Sequence, residues 1–216
     1  MSTRGRSQAG ASERVYLWTK DRILDGRFEG GRLISEGEVA EEVQLSRTPV
    51  REAFLRLSGE GFLRLYPKRG ALVVPVSASE AADVAEARIF LERHAAAKVI
   101  AAGTHPDVAA RMRTVLDKQR ALPPDDPAFT ALDRDFHATL VNAAGNTLFD
   151  EFYSGLRDRQ LRIVRAVLRR YDADRGRVII EEHARICDLL EAGDNATLPG
   201  LIASHITSVS EQLRAE

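Results

Sequence analysis

Leu45-Ser46-Arg47-Thr48-Pro49-Val50-Arg51-Glu52-Ala53-Phe54-Leu55-Arg56-Leu57 reads as a helix with two unlike faces. Ser46 is placed to cap it, and Pro49 falls in its first turn, where no amide partner is required. Val50, Ala53, Phe54 and Leu57 recur at i, i+3, i+4 and i+7, which predicts one buried face and leaves Arg47, Thr48, Arg51 and Glu52 outward. Immediately upstream, Ser35-Glu36-Gly37-Glu38 has capping-box spacing and opens a short helix over 36–43. Only Gln44 and Leu45 separate the two, so the connection is a tight turn. Further upstream, a helix is expected from Ser12 to about Asp25, ended by Gly26, then a loop over 27–34. Downstream, the β-prone runs 62–66 and 71–74 flank Pro67-Lys68-Arg69-Gly70, a hairpin with a basic tip. Three helices with a tight second turn, followed by such a hairpin, make a winged helix-turn-helix over 12–76.

From Ser77 onward the β signals vanish. Ser77-Ala78-Ser79-Glu80 repeats the cap spacing and opens an Ala-rich helix to about Ala102. Further helical patterns cover roughly 106–121, 126–144, 146–170, 174–191 and 195–214, with breaks at Gly103, Pro123-Pro124, Gly145, Tyr171-Asp172 and Gly193-Asp194. Short connections predict an antiparallel bundle over 77–216 of six helices, or seven if the fourth breaks near Gly155. The fold class is therefore mainly α, a winged helix-turn-helix followed by an all-helical bundle.

Composition limits the partners. In 216 residues, 44% are hydrophobic, enough for an ordinary core, and 31 Lys+Arg nearly cancel 32 Asp+Glu. No whole-protein field argues for a polyanion, so any such case must be local. It is local: Arg47, Arg51, Arg56, Arg64, Lys68 and Arg69 face only Glu52 and Glu60 across 44–70. The lone Cys187 excludes an internal disulfide, and no run approaches the roughly 18 apolar residues of a membrane span. Residues 1–11 lack a signal peptide's apolar run and read as a disordered tail. A cytoplasmic protein without a membrane partner is the expectation.

Arg47, Thr48 and Arg51 occupy the end of a recognition helix that enters the major groove. An arginine fork matches guanine O6 and N7, while a threonine hydroxyl can take a phosphate. Lys68 and Arg69 at the wing tip would lie over a neighbouring phosphate or the minor groove. The bland alternative, arginines merely solvating a helix face, loses force beside the hairpin and the helix-turn-helix spacing. Leu45 to Ala53, with Arg56-Leu57, Glu60-Gly61 and Pro67-Lys68-Arg69-Gly70, resembles the GntR family of bacterial transcription regulators. The resemblance implies that Arg47, Thr48 and Arg51 contact double-stranded operator DNA, assisted by Lys68, Arg69 and Gly70. Two positions depart from the family pattern: Gly37 stands where some members place a DNA-contacting arginine, and Gly30-Gly31 where Pro-Gly is common.

In the bundle, Asp133 and His137 lie four apart and project from one helix face, while His183 and His205 fall on the last two expected helices. Imidazoles with a carboxylate suit a divalent first-row ion, although histidines so far apart are no motif, and a lone helical histidine is more often a packed one. Asp133-x-x-Phe136-His137, Glu182-His183 and Gly193-Asp194 with His205 resemble the FCD effector domain of the FadR branch of GntR regulators. That resemblance implies a metal held by Asp133, His137, His183 and His205, zinc first and nickel, manganese or iron otherwise. Asp135, two residues from Asp133, points well round the helix and is a poorer candidate, and His94 and His105 match no ligand position. Glu86-Ala87-Arg88 with Leu91-Glu92 matches the first effector-domain helix, so Arg88 is a candidate cation for an effector, with a salt bridge to a neighbouring helix as the alternative.

The expected function is a homodimeric, ligand-responsive transcription regulator, a repressor before an activator, released by a small organic acid bound beside the metal. It is not expected to be an enzyme. A metal-dependent hydrolase with an appended DNA reader would need a placed general base, and no H-E-x-x-H or comparable pattern occurs. An architectural DNA-binding protein whose bundle only dimerises would bind neither metal nor effector.

Overall fold

The structure, a computed structural model, describes residues 4–170 and 173–213. The chain divides into two compact units, Met1–Val76 and Ser77–Glu216.

The first unit contains α1 (Arg4–Leu24), β1 (Leu33–Ile34), α2 (Glu36–Val43), α3 (Arg47–Gly59), β2 (Leu63–Tyr66) and β3 (Gly70–Val73). Helix α1 begins at Arg4, so the stretch read as a tail up to residue 11 is helical from there. No proline stops it, and Ser12 lies within the helix rather than at its cap. Ser35 forms the full capping box: its Oγ accepts from the Glu38 amide at 3.0 Å, and the Glu38 carboxylate accepts from the Ser35 amide at 3.5 Å. Gln44 makes the tight turn in the left-handed region, with φ 54°, and Leu45 N donates to Ala40 O at 3.0 Å. Ser46 adopts the extended N-cap backbone but makes no side-chain cap bond. The anticipated face of α3 is buried, Val50 and Leu57 fully, and packs with Val15, Tyr16, Val39 and Val73 in one core.

The sheet has a third strand, β1, within the stretch where the sequence predicts a loop. Leu33 and Ile34 pair antiparallel with Leu72 and Ala71, giving the order β1-β3-β2. Two residues are too few to show alternation, so only pairing reveals them. Gly70, at φ 105°, lies under this junction: a Cβ there would stand 2.3 Å from the Ile34 carbonyl oxygen. Glycine is thus required at this position for close backbone approach.

Among the described residues the second unit is a bundle of six helices: α4 (Ala78–Ala101), α5 (His105–Arg120), α6 (Pro127–Ala143), α7 (Thr147–Arg170), α8 (Ala173–Glu191) and α9 (Leu198–Glu211). Six, not seven, is the outcome, because α7 runs unbroken through Gly155. The expected break at Tyr171-Asp172 lies outside the described residues. Helix α9 starts at Leu198 rather than 195, since the Asp194 carboxylate accepts from the amides of Ala196 and Thr197 and holds them in the preceding turn. Helix α4 packs on α6, α7 and α9, and α5 packs on α6 and α8. The shared core, from Leu91 and Met112 through Phe136 and Leu140 to Ile186 and Ile202, surrounds three histidines. No helix among the described residues is long and apolar enough to cross a membrane.

Candidate functional site

Two constellations stand out, one in each unit. In the first, α3 and the β2–β3 wing border a groove lined by Arg47, Arg51, Leu55, Tyr66, Lys68 and Arg69. Arg47 and Thr48 occupy the first two positions of α3 and are exposed, as are Lys68 and Arg69 on the wing. Arg51 is exposed as well but already held, its Nε and Nη2 donating to the two Glu36 carboxylate oxygens at 3.0 and 3.1 Å. This fork leaves the guanidinium's other edge for a partner. Arg47 extends over Gly37, where an added Cβ would meet its Nη2 at 3.4 Å. An arginine from α3 thus lies over the position of Gly37.

In the second unit, α6, α8 and α9 bring His137, His183 and His205 together, with one donor atom of each within 4.8 Å of the others. His137 Nε2 lies 3.2 Å from both His183 Nε2 and His205 Nε2. All three rings are at most 2% exposed. Phe136 stacks on His183 at 4.0 Å between ring centroids, which closes one side. Asp133 lies one turn before His137 on the same helix, as its spacing predicted, but stands at the edge of the cluster. Its Oδ1 is 3.6 Å from His183 Nε2, and its Oδ2 accepts from Gln160 Nε2 at 3.2 Å.

What each ring does with its other nitrogen determines the chemistry. His137 Nδ1 meets Glu92 Oε2 at 2.8 Å, and His205 Nδ1 meets Glu182 Oε2 at 2.7 Å. Ionised carboxylates only accept, so both rings donate from Nδ1 and carry their lone pairs on Nε2. His183 Nδ1 meets Gln119 Oε1 at 3.0 Å, and the same amide's Nε2 donates to the Phe129 carbonyl at 3.3 Å, which fixes its orientation. His183 therefore also donates from Nδ1. Burial, reinforced for His183 by the neighbouring His205 and His137, pushes the pKa of that ring well below the ordinary histidine value. His205 is lowered too, by burial, against the opposing pull of Glu182. Lone pairs that converge on one another at 3.2 Å repel, and a cation held among them relieves that repulsion. Two nitrogens on one tetrahedral zinc are ~3.4 Å apart for bonds of about 2.0–2.1 Å. The donor set thus fits a divalent metal, and the Nδ1 partners are those that orient metal-bound imidazoles.

Arg88 makes its salt bridge within its own helix, its Nε donating to Glu92 Oε1 at 2.9 Å, and also interacts with Tyr153 of α7. Tyr153 Oη donates to the same oxygen at 2.7 Å. Burial alone would raise the Glu92 pKa, but Arg88, His137 and Tyr153 outweigh it and hold the carboxyl below its usual range. Arg88 Nη2 and Gln160 Oε1 are buried without hydrogen-bond partners, and both residues line a narrow cleft with Ala85, Ile163 and Ile206. Sequence reading missed Gln119, Tyr153 and Gln160 and gave Glu92 and Glu182 no role. The available signals were slight: a charged pair four apart on an Ala-rich helix, and an acid beside His183.

Residues 11–73 match the gntR family of bacterial regulatory proteins, and residues 83–208 match the FCD domain. An HTH-type transcriptional regulator from the TAR-I ttuE-ttuC' intergenic region of Agrobacterium vitis is 34% identical over 64% of this chain and 83% of its own length. The gluconate operon transcriptional repressor of Bacillus subtilis is 27% identical over 70% of this chain and 62% of its own length. Among solved structures, Escherichia coli McbR/YncC superposes with a TM-score of 0.72 at 20% identity, covering 94% of this chain and 97% of that one, a likeness of fold. The matches cover both compact units, and the chain belongs to the GntR family of DNA-binding transcription regulators, a class of non-enzymes, with an FCD domain as its second part.

Proposed function

We propose that this chain is a homodimeric, metal-dependent repressor of the FadR branch that leaves its operator when a small carboxylate binds in the bundle. The observation that carries the reading is the convergence of three Nε2 lone pairs whose Nδ1 groups are all engaged elsewhere. His137, His183 and His205 would hold the ion, with Asp133 as fourth ligand. Bound there, a divalent ion, zinc before nickel, manganese or iron, supplies a positive centre that attracts an anionic oxygen. Arg88 offers the unpartnered Nη2 to a carboxylate, and Gln160 offers an acceptor beside it. Ala85, Ile163 and Ile206 border that contact.

At the other end of the function, Arg47, Thr48 and Arg51 would read operator DNA, with Lys68 and Arg69 on phosphate and Gly70 shaping the wing. A twofold dimer would address two half-sites. Support for self-association comes from α4 and α7, which pack together and leave Phe90, Phe152 and Leu148 58–71% exposed. Repression is the sense suggested by the Bacillus subtilis relative, whose operon also points toward an acid. A buried, unpaired Cys187 suits a cytoplasmic setting.

Calorimetry of the zinc-loaded protein against a panel of short carboxylic acids, paired with release of a selected operator, tests the proposal. Acid binding that needs both the metal and Arg88 and that releases DNA is expected. If no acid binds the zinc-loaded protein, or binding is equal without metal, the carboxylate reading is wrong.

A further inference from the structure

Glu92 is 1% exposed and accepts from three helices at once: Arg88 Nε and Tyr153 Oη on Oε1, His137 Nδ1 on Oε2. Arg88 in turn has two sides, Nε on Glu92 and an unpartnered Nη2 in a residue that lines the cleft. One carboxylate thus stands between the cleft and the histidine cluster. We propose that Glu92 is the positioning residue that joins Arg88 to His137, so that what Arg88 binds sets how tightly the histidines hold an ion. The inference rests on the metal and effector reading above.

The physical link is sharing of one anionic group. Donors on Oε1 draw charge from Oε2, which weakens it as the acceptor for His137 Nδ1 and lowers the donor strength of His137 Nε2. A carboxylate ligand that draws Arg88 toward the cleft reverses this and strengthens the ring as a ligand. Gln119 and Glu182, which hold the other two rings, have no such connection to Arg88. Gln119 bonds the Phe129 carbonyl, and Glu182 lies 3.9 Å from Arg175.

Zinc affinity, measured by competition with a chromophoric chelator, separates this role from simple packing. Glu92→Gln should weaken zinc binding about ten- to a hundredfold. Tyr153→Phe, which removes one donor from Oε1 and little volume, should tighten it several-fold. A residue that only fills space would weaken binding in both variants. Arg88→Met should shift zinc affinity in the wild-type background and leave it unmoved in the Glu92→Gln background, a thermodynamic cycle through the shared group. The Arg88→Met/Glu92→Gln pair removes both charges together, which keeps the measurement possible if Glu92→Gln alone fails to fold. Opposite signs for the Glu92 and Tyr153 variants, with a non-additive Arg88 effect, support the inference. Weakening by both variants, or an Arg88 effect of equal size in both backgrounds, overturns it while leaving the metal reading intact. Absence of zinc binding by the wild type overturns both.

Discussion

The recognition helix and the histidine cluster both gather charged or metal-binding groups, yet they do so under opposite conditions. Arg47, Thr48 and Arg51 stand in water on one continuous helix, and their chemistry is spent on a partner outside the chain. Arg88, Glu92 and the three histidines are buried, and Glu92 accepts from Arg88 on its own helix and from His137 and Tyr153 on two others. The difference teaches where a substitution is felt: at the first site in binding, at the second in stability and ligand affinity together.

The largest contrast should come from two arginines. Arg88→Ala leaves the Glu92 charge buried without its only arginine among three hydrogen-bonding partners, a loss of about 3–5 kcal/mol in urea unfolding. Arg51→Ala removes an exposed pair with Glu36 and should leave the melting temperature unchanged. An equal loss in both would erase the distinction between the two sites. Phe54→Ala and Phe136→Ala should each cost about 3–5 kcal/mol through cavity formation, showing that both units rest on ordinary cores.

Binding reverses the order. Arg47→Ala or Arg51→Ala should weaken a selected operator roughly ten- to a hundredfold and relax its base preference, whereas Lys68→Ala weakens all sequences and flattens the salt dependence. A binding titration at several salt concentrations distinguishes these outcomes.

Acid should separate the two units again. Burial lowers His183 and His205, so the folded metal-free bundle disfavours their charged forms. An unfolded chain protonates them below about pH 6.5, so stability is full above that value and is lost as pH falls through the depressed folded values. By contrast, the same lowered values keep His183 and His205 available as ligands, so zinc binding should persist below pH 6.5, the usual point of loss for unperturbed histidines. Melting curves of metal-free protein between pH 7.5 and about 5 should show this decline, which His183→Gln reduces. The smallest effect is local: Gln44→Gly relieves a left-handed turn and should gain up to about 1 kcal/mol.

Legibility in the sequence follows the same division. The helix-turn-helix was readable because its cues are local: the Ser35 capping box, the Val50-Ala53-Phe54-Leu57 face and the basic tip all fall within a few residues of one another. Strand β1 escaped because its two residues have identity only through pairing with Leu72 and Ala71. Six helical segments were readable from periodicity, while the continuity of α7 through Gly155 was not, since glycine in a helix only lowers propensity and packing decides. Of the buried site, Asp133 and His137 share one turn of sequence spacing, but His183 and His205 reach them through tertiary packing. Only the family resemblance gathered the set. The outer partners Gln119 and Tyr153 carried no sequence signal because they belong to the site through the fold alone.

The central claim is that the histidine cluster holds a divalent ion. Elemental analysis of the purified protein, repeated on His137→Ala, His183→Ala and His205→Ala and joined to melting curves with and without added zinc, addresses it directly. About one metal per chain, absent from each variant, and a rise in melting temperature with zinc for wild type alone are predicted. A wild-type protein with no metal and a melting temperature unmoved by zinc would contradict it and leave the three histidines as packing residues.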